Sequence, residues 1–167
     1  MTLTTFKEIR ALAEERKGGK KALQELLASH KPLTGKQLTA LGDDRYLAMM
    51  TRCVFNAGFN WKVIKNKWEG FEEAFHGFNP KGLSHMSPEK WEAYQDDTRI
   101  VRYWIKIKSV QDNALFLMEE ARQHGSFSKR FADWPVQDQI GLMAYLKKNG
   151  SRLGGNTGMY FIRFIGK

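Results

Sequence analysis

The sequence predicts an all-α fold. Apolar residues recur at helical spacing in one segment after another. The clearest set, on one face of a helix, is Val136, Ile140, Met143 and Leu146. Helix start and stop signals bound these segments, and no stretch alternates apolar and polar residues as a half-buried strand does. With 167 residues, 42% of them hydrophobic, the chain is long enough to bury a core.

The N-terminal part of the chain predicts two short helices. Phe6 to Arg16 is amphipathic and ends in a charged glycine break. A second helix is expected from Ala22 to Ser29, followed by a turn at Lys31-Pro32. These elements make up an N-terminal helical extension of residues 1–42, which precedes a single compact domain of residues 43–167.

The main domain is predicted to open with a long helix. Asp43 and Asp44 can cap an apolar stretch that runs to Phe55, and Gly58 interrupts it. The apolar pattern resumes from Trp61 to Trp68, which predicts a further helix.

Turn and cap residues organise the second half of the chain. Phe75–Pro80 is typical of a turn, and Ser87-Pro88-Glu89 supplies a cap, a proline at the first helical position and an acid in the first turn. A long helix is expected from Thr98 to Gln123. Pro135 lies near the first turn of the helix that carries the apolar set named above.

The segment from Lys147 to Thr157 joins two apolar stretches by a short glycine-rich turn. Gly150 ends the first helix, and the second opens near Asn156 or Thr157. The unpaired N–H groups of a helix N-terminus, reached through glycines, suit a phosphate. We interpret the segment as a helix-hairpin-helix that binds a nucleic-acid backbone through Lys147, Lys148, Arg152, Gly154, Gly155, Asn156 and Thr157. An ordinary corner between two helices, with a solvated basic face, is the alternative.

The charge balance favours an anionic partner. A net charge of +9 points to DNA, RNA or a membrane surface. Basic residues recur in three groups, Arg16–Lys21, Arg99–Lys108 and Lys147–Lys167. No stretch has the ~18 uncharged apolar residues of a membrane span. One cysteine fits a reducing cytoplasm, and with four scattered histidines it predicts no metal site.

Trp61, which follows the break at Gly58, is a candidate platform for a nucleobase. Enzymes that act on a base take it out of the stack and hold it against aromatic faces. Cys53 lies two helical turns earlier and can face the same cavity. The alternatives are that Trp61 fills the core and that Cys53 is a small buried hydrophobe. A nucleophilic role for Cys53 would need a histidine, and none is near it in sequence.

Several spaced motifs carry a family resemblance. In order along the chain they are Ala57–Ile64, Phe75–Pro80, Ile100–Arg102, Lys106-Ile107, Asn113-Ala114 and Leu153–Thr157. Together they resemble the bacterial 3-methyladenine DNA glycosylase I family, which belongs to the helix-hairpin-helix glycosylases. The resemblance covers roughly Asp44 to Gly166 and leaves the first forty residues outside it.

The resemblance implies an all-helical glycosylase-like domain with its base pocket between two helical lobes. The implied activity is that of a DNA glycosylase of base excision repair, which hydrolyses the N-glycosidic bond of an alkylated purine such as 3-methyladenine after base flipping. The expected partner is double-stranded DNA with an alkylated base, and the expected form is a cytoplasmic monomer without a cofactor. The pocket is expected to be lined by Cys53, Phe59, Asn60, Trp61 and Arg102.

The departures from the family bear on the substrate. The family's base-binding glutamate falls on Cys53, and a neutral thiol cannot pair with a cationic purine. The face of Trp61 would then supply about 0.5–2 kcal/mol of attraction for a cation. The family's zinc-binding cysteines and histidines have no counterparts here.

The sequence assigns no catalytic residue. Most helix-hairpin-helix glycosylases carry a catalytic aspartate soon after the second hairpin helix, but this sequence ends at Lys167, before that position, as expected of a truncated chain.

The alternative function is that of a non-catalytic helix-hairpin-helix DNA-binding protein. An RNA-binding or membrane-surface protein is a weaker alternative, because readers of single-stranded RNA usually present sheets or barrels.

Overall fold

The computed structural model describes residues 5–28 and 32–167. Every regular element in this part of the chain is a helix, which confirms the predicted fold class. The helices are α1 (Phe6–Arg16), α2 (Lys20–Ala28), α3 (Gly35–Ala40), α4 (Asp43–Asn56), α5 (Trp61–Asn66), α6 (Trp68–Ala74), α7 (Pro80–Ser84), α8 (Pro88–Glu92), α9 (Trp104–His124), α10 (Phe127–Ala132), α11 (Gln139–Asn149) and α12 (Gly155–Ile165). Two 3₁₀ turns lie at His76–Phe78 and Ala93–Gln95.

The chain divides into two compact units, and the boundary falls between Pro32 and Leu33. The first unit contains α1 and α2. A capping box opens α1: the Thr5 hydroxyl accepts from the Glu8 N–H at 3.3 Å, and the Glu8 carboxylate accepts from the Thr5 N–H at 2.7 Å. The second helix begins at Lys20, two residues before the predicted start, and its predicted end at Ser29 lies outside the described residues.

The core of the second unit is built around α4 and α9. Both helices bury an apolar face, and aromatic rings from α10 and α12 fill the space beside α4. Tyr46 of α4 is fully buried, with the rings of Phe127 and Phe131 edge-on to it at centroid distances of 5.4 and 5.3 Å. Its hydroxyl donates to the Leu38 carbonyl at 2.9 Å, so α4 also fixes α3. This rigid centre positions the residues that follow α4.

The acid pair at the start of α4 acts differently from the prediction. Gly42 is the N-cap of α4, and Asp43 reaches to a helix far along the chain. The Asp43 carboxylate accepts from the backbone N–H groups of Phe127 and Ser128 at 3.0 and 2.7 Å. It therefore caps α10, a six-residue helix that the sequence pattern did not reveal.

The predicted start of the long helix at Thr98 is wrong, because α9 begins at Trp104. Local polar contacts hold the preceding residues in a non-helical path. The Arg99 guanidinium donates to the Asp97 carboxylate at 2.7 Å, and the Lys67 ammonium donates to the Thr98 carbonyl at 2.7 Å. Hydrogen bonds from Arg99 hold the pKa of Asp97 below its usual range.

The predicted apolar face of α11 is also wrong in its first half. Val136 precedes the helix and is 69% exposed, and Ile140 is 84% exposed. The buried residues of α11 are Leu142 and Leu146, one turn apart. Asp138 is the N-cap, and its carboxylate accepts from the Gly141 N–H at 2.9 Å, so the helix begins after Pro135 and Val136.

Candidate functional site

A cavity of about 370 Å³ lies between the end of α4, the start of α5 and one face of α12. It is lined by Cys53, Asn56, Ala57, Gly58, Trp61, Asn156, Thr157, Tyr160 and Phe164. The cavity thus brings together two residues predicted for base binding, Cys53 and Trp61, and two predicted for phosphate binding, Asn156 and Thr157. We call it the aromatic cavity, because three of its walls are aromatic rings.

Trp61 is the first residue of α5 and is 48% exposed, so the alternative that it fills the core is wrong. Its ring lies edge-on to Tyr160 and Phe164, with centroids 5.7 and 6.0 Å away and planes at 88° and 84°. Tyr160 and Phe164 are stacked on each other, at 5.6 Å and 15°. The edge contacts fix the orientation of the indole while about half of the residue stays accessible.

Cys53 lies on α4, one turn before Ala57, and is buried. Burial raises the pKa of its thiol to about 12, against a smaller opposing effect of the positive charge of Arg52. The thiol is therefore neutral at physiological pH and is a poor nucleophile. None of the residues that line the aromatic cavity in the described chain is acidic, so a cationic base entering it would meet ring faces and neutral polar groups.

Three residues predicted for the base pocket lie outside the lining of the aromatic cavity. Asn60 is the N-cap of α5, and its side chain accepts from the Lys62 N–H at 2.9 Å. Phe59 is half-buried and lies edge-on to Tyr103 at 5.8 Å. Arg102 is exposed in the segment before α9 and lines neither this cavity nor the second one described below.

Lys106, on the first turn of α9, holds the loop that leads to Trp61. Its ammonium donates to the carbonyls of Phe55 (3.3 Å) and Ala57, at the C-terminal end of α4. It also lies 4.2 Å from the ring centroid of Phe59. The side chain is 5% exposed, and burial, with a smaller effect of a nearby arginine, lowers its pKa to about 8. Although Lys106 belongs to the basic group Arg99–Lys108, its side chain is therefore buried and does not lie on a solvated helix face.

A second cavity, of about 320 Å³, adjoins the first through Ala57 and Thr157. Lys106 and two residues of the turn between α11 and α12, Arg152 and Gly154, also line it, together with Val54. This cavity connects the buried ammonium of Lys106 with the turn predicted to bind phosphate.

Arg152, in the turn between α11 and α12, and Gly155, the first residue of α12, lie in the left-handed region, with φ 61° and 55°. A Cβ built on Gly155 would meet no atom within 4 Å, so its backbone is open to a ligand. At Gly158 a Cβ would lie 2.4 Å from the Leu153 carbonyl oxygen, so glycine lets α12 pack closely on the turn. The N-terminus of α12 therefore presents accessible N–H groups from Gly155 onward.

Cations surround this turn. Lys147 and Lys148 are exposed in the last turn of α11, and Arg152 is exposed in the turn itself. Among residues 5–28 and 32–167, none of these three side chains forms an ion pair. Their positive charge adds to that of the helix N-terminus, so the surface attracts an anion.

The aromatic wall of α12 was missed from the sequence. Asn156, Tyr160 and Phe164 follow each other at intervals of four, so they share one helix face. That spacing was available in the sequence, but aromatic residues at helical spacing are usually read as core. Lys106 had no comparable signal, because its burial depends on carbonyls of α4 far earlier in the chain.

The described part of the chain offers neither a metal site nor a membrane span. Over residues 5–28 and 32–167, no three histidine, cysteine, aspartate or glutamate side chains form a group able to hold a metal ion. No helix in the same ranges has the length and apolar character needed to cross a bilayer.

Comparison with known proteins identifies related sequences. A profile of the methyladenine glycosylase family matches residues 35–145. A DNA-3-methyladenine glycosylase of Haemophilus influenzae is 31% identical over 58 residues, which are 35% of this chain and 31% of that protein. The match thus spans about a third of the length of this relative.

Two solved structures share the fold. One is 3-methyladenine DNA glycosylase I from Staphylococcus aureus, with a TM-score of 0.66 and 22% identity over 82% of this chain and 79% of that chain. The other is a variant of 3-methyladenine DNA glycosylase I in complex with 3-methyladenine, with a TM-score of 0.63 and 23% identity over 74% and 76% of the two chains. These likenesses show a common all-helical fold.

Proposed function

Because the chain belongs to the methyladenine glycosylase family, we propose that it is a DNA glycosylase of base excision repair. In this proposal it hydrolyses the N-glycosidic bond of an alkylated purine, such as 3-methyladenine, in double-stranded DNA. The observation that carries the proposal is the half-exposed indole of Trp61 at a cavity that is also lined by Asn156 and Thr157, in the first turn of α12. A base can stack there while the backbone of its own strand lies on the turn.

The aromatic cavity would receive the flipped base. Unstacking a base costs a few kcal/mol, least for a damaged one, and stacking on an aromatic side chain returns about 1–3 kcal/mol. Trp61 would supply the stacking face, and Tyr160 and Phe164 would hold that ring in place. Cys53 would close the inner wall as a neutral, apolar group.

Catalysis would depend mainly on positioning. Alkylation places positive charge on the purine, which makes the base a good leaving group, so little acid assistance is needed. Because the cavity lining contains no carboxylate, a cationic base would be attracted by ring faces, worth about 0.5–2 kcal/mol. Water would attack the sugar carbon as the bond to the base breaks, and we assign no general base.

The turn would hold the phosphate backbone. The N–H groups of Gly154, Gly155 and Asn156 would contact one phosphate, with Thr157 beside them and Lys147, Lys148 and Arg152 adding Coulombic attraction. If about five phosphates are neutralised, log affinity falls against log salt with a slope of about −4 to −5. This corresponds to a loss of about 500-fold between roughly 50 and 200 mM salt.

The deciding experiment is release of free base from alkylated duplex DNA. Methylated duplex is incubated with the wild-type protein, and the released bases are separated and identified by chromatography. We expect 3-methyladenine among the products and little or none with Trp61→Ala. If the folded wild type releases no alkylated base from several alkylated substrates, the enzymatic proposal is rejected.

The second candidate is a non-catalytic DNA-binding protein. It is favoured by the neutral thiol of Cys53, since the resemblance places a base-binding glutamate at this position. This candidate predicts duplex binding that depends on salt but not on a lesion, and no base release.

For either function we propose a monomer that acts on DNA in the cytoplasm, in keeping with one free thiol.

A further inference from the structure

We propose that Asn113 is the positioning residue of the DNA-binding turn. Its side chain holds the turn between α11 and α12 on α9 and so sets the direction of the groups that would meet phosphate. This inference rests on the proposed DNA-binding role of the turn, but it does not require glycosylase activity.

Asn113 is bound to the turn at two points. It lies in the middle of α9 and is completely buried. Its side-chain oxygen accepts from the Ser151 backbone N–H at 2.8 Å, and its side-chain nitrogen donates to the Ser151 carbonyl at 3.1 Å. One amide side chain thus pairs with both backbone polar groups of a single residue, as a neighbouring strand would. The Ser151 hydroxyl adds a third bond, to the Asp112 carboxylate at 3.1 Å.

This pairing fixes the backbone where the turn changes direction. Ser151 directly precedes Arg152, which has φ 61°, a conformation that is strained for a non-glycine residue. Such a conformation persists only where its surroundings impose it. The two bonds to Asn113 fix the peptide groups on both sides of Ser151, and the next residues in the chain reach the N-terminus of α12.

The same helix supports the other side of the site. Lys106, two turns before Asn113 on α9, binds the carbonyls at the end of α4 that lead toward Trp61. Both the loop before Trp61 and the turn before α12 are therefore fastened to α9 by buried polar side chains. Asn113 is the residue of α9 that holds the turn proposed to bind phosphate.

The test is Asn113→Asp, with duplex affinity measured at about pH 8 and about pH 5. A protonated carboxyl can donate to the Ser151 carbonyl and accept from its N–H, whereas a carboxylate can only accept. Burial and the neighbouring Asp112 both raise the pKa of the introduced carboxyl. Relative to wild type at the same pH, we expect about ten-fold weaker binding or more at pH 8, in line with the loss of a buried hydrogen bond. At pH 5 we expect recovery to within a few-fold.

The matched control is Asn149→Asp. Asn149 is the last residue of α11, is exposed, and its side chain donates to the Tyr145 carbonyl at 2.9 Å. This change adds the same charge near the turn without touching Ser151. We expect its affinity to stay close to wild type at both pH values, so that charge repulsion alone does not explain the effect.

A second measurement covers the case in which Asn113→Asp does not fold at pH 8. In the wild-type protein, hydrogen exchange of the Ser151 amide is expected to be as slow as that of the central amides of α9. Fast exchange at Ser151 would overturn the inference, as would normal binding by folded Asn113→Asp at pH 8. A wild type that binds duplex but releases no base rejects only the proposed enzyme. A wild type without salt-dependent duplex binding overturns both proposals.

Discussion

The indole ring of Trp61 meets the phenol ring of Tyr160 edge-on, with centroids 5.7 Å apart and planes at 88°. The first residue comes from the start of α5 and the second from the middle of α12, near the end of the chain. Such pairs contribute about 0.5–1.5 kcal/mol beyond the area they bury. The contact therefore fixes the orientation of an indole that is otherwise half exposed.

Replacing Trp61 should separate lesion recognition from general DNA binding. We expect Trp61→Ala to lose the preference for a duplex with an alkylated base by about 10- to 100-fold, because one stacking face worth ~1–3 kcal/mol is removed. Binding to undamaged duplex should stay within about two-fold, since the cations around the turn are untouched. Affinity is measured by fluorescence anisotropy with matched damaged and undamaged duplexes. Val63→Ala, at another exposed position of α5, is the control and should change neither affinity.

Introducing a carboxylate in place of Cys53 should change the base that the cavity prefers. We expect Cys53→Glu to bind a duplex with a cationic methylated purine more tightly than wild type does, because a carboxylate can pair with that charge. Cys53→Ser keeps the site neutral and should not show this gain. Both variants should bind undamaged duplex as wild type does. Equal selectivity of Cys53→Glu and wild type in a lesion panel would show that the base does not contact this position.

A side chain at Gly155 should weaken DNA binding of every kind. The residue has φ 55°, a conformation that valine resists, and its open backbone is where phosphate would approach. We expect Gly155→Val to reduce affinity for damaged and undamaged duplex alike and to make the salt slope shallower by about one unit, as for one lost phosphate contact. Gly35→Ala, at an open position of α3, is the control. An unchanged salt slope in folded Gly155→Val would make the turn a purely structural corner.

The buried ammonium of Lys106 should make the free energy of unfolding depend on pH in the alkaline range. Its pKa is lowered to about 8 in the folded protein, whereas that of an unfolded lysine is about 10.4. Below pH 8 both states carry the charge, and the folded state bears the full cost of burying it. Between about pH 8 and 10.4 only the unfolded state keeps the proton, so the free energy of unfolding rises with pH, by at most about 1.4 kcal/mol per unit.

The measurement is urea denaturation of wild type and Lys106→Met at several pH values from 7 to 10. Wild type should gain stability relative to Lys106→Met as the pH rises, while the difference between wild type and Lys108→Met, an exposed lysine on the same helix, should stay constant. Raised pKa values of buried tyrosines and of Cys53 lower stability at high pH in all three proteins and cancel in the comparison. A constant difference for Lys106→Met would contradict the lowered pKa.

Much of the fold follows from local sequence signals. The helices and boundaries that were not predicted depend on residues far away in the sequence. The start of α8 and the end of α11 were predicted from a cap, a proline and a glycine that act within one turn, and the extent of α1 from its amphipathic pattern. The short helix α10 was not predicted, because part of its cap is Asp43, far earlier in the chain. The segment before α9 has helical spacing, but its polar groups are already bound by neighbours outside a helix.

The candidate site was predicted in part for similar reasons. Trp61 and Cys53 were proposed as pocket residues from the glycine break and the helical spacing between them, and the structure places both on one cavity. Val136 and Ile140 have the spacing of a core face, yet both are exposed. Val136 precedes the cap at Asp138, and Ile140 lies two residues, about 200° around the helix, from the buried Leu142. Spacing identifies a helix face, but only packing against other helices determines which face is buried.

The cap that Asp43 provides couples the opening of the first turn of α4 to hydrogen exchange at the start of α10. The first N–H groups of α10 at Phe127 and Ser128 depend on a carboxylate that is in place only while the first turn of α4 is formed. Six residues are too few to form a stable helix alone. Fraying at the start of α4 would therefore leave the Phe127 and Ser128 amides without this acceptor, and they would exchange with solvent hydrogen at the rate at which that distant turn opens.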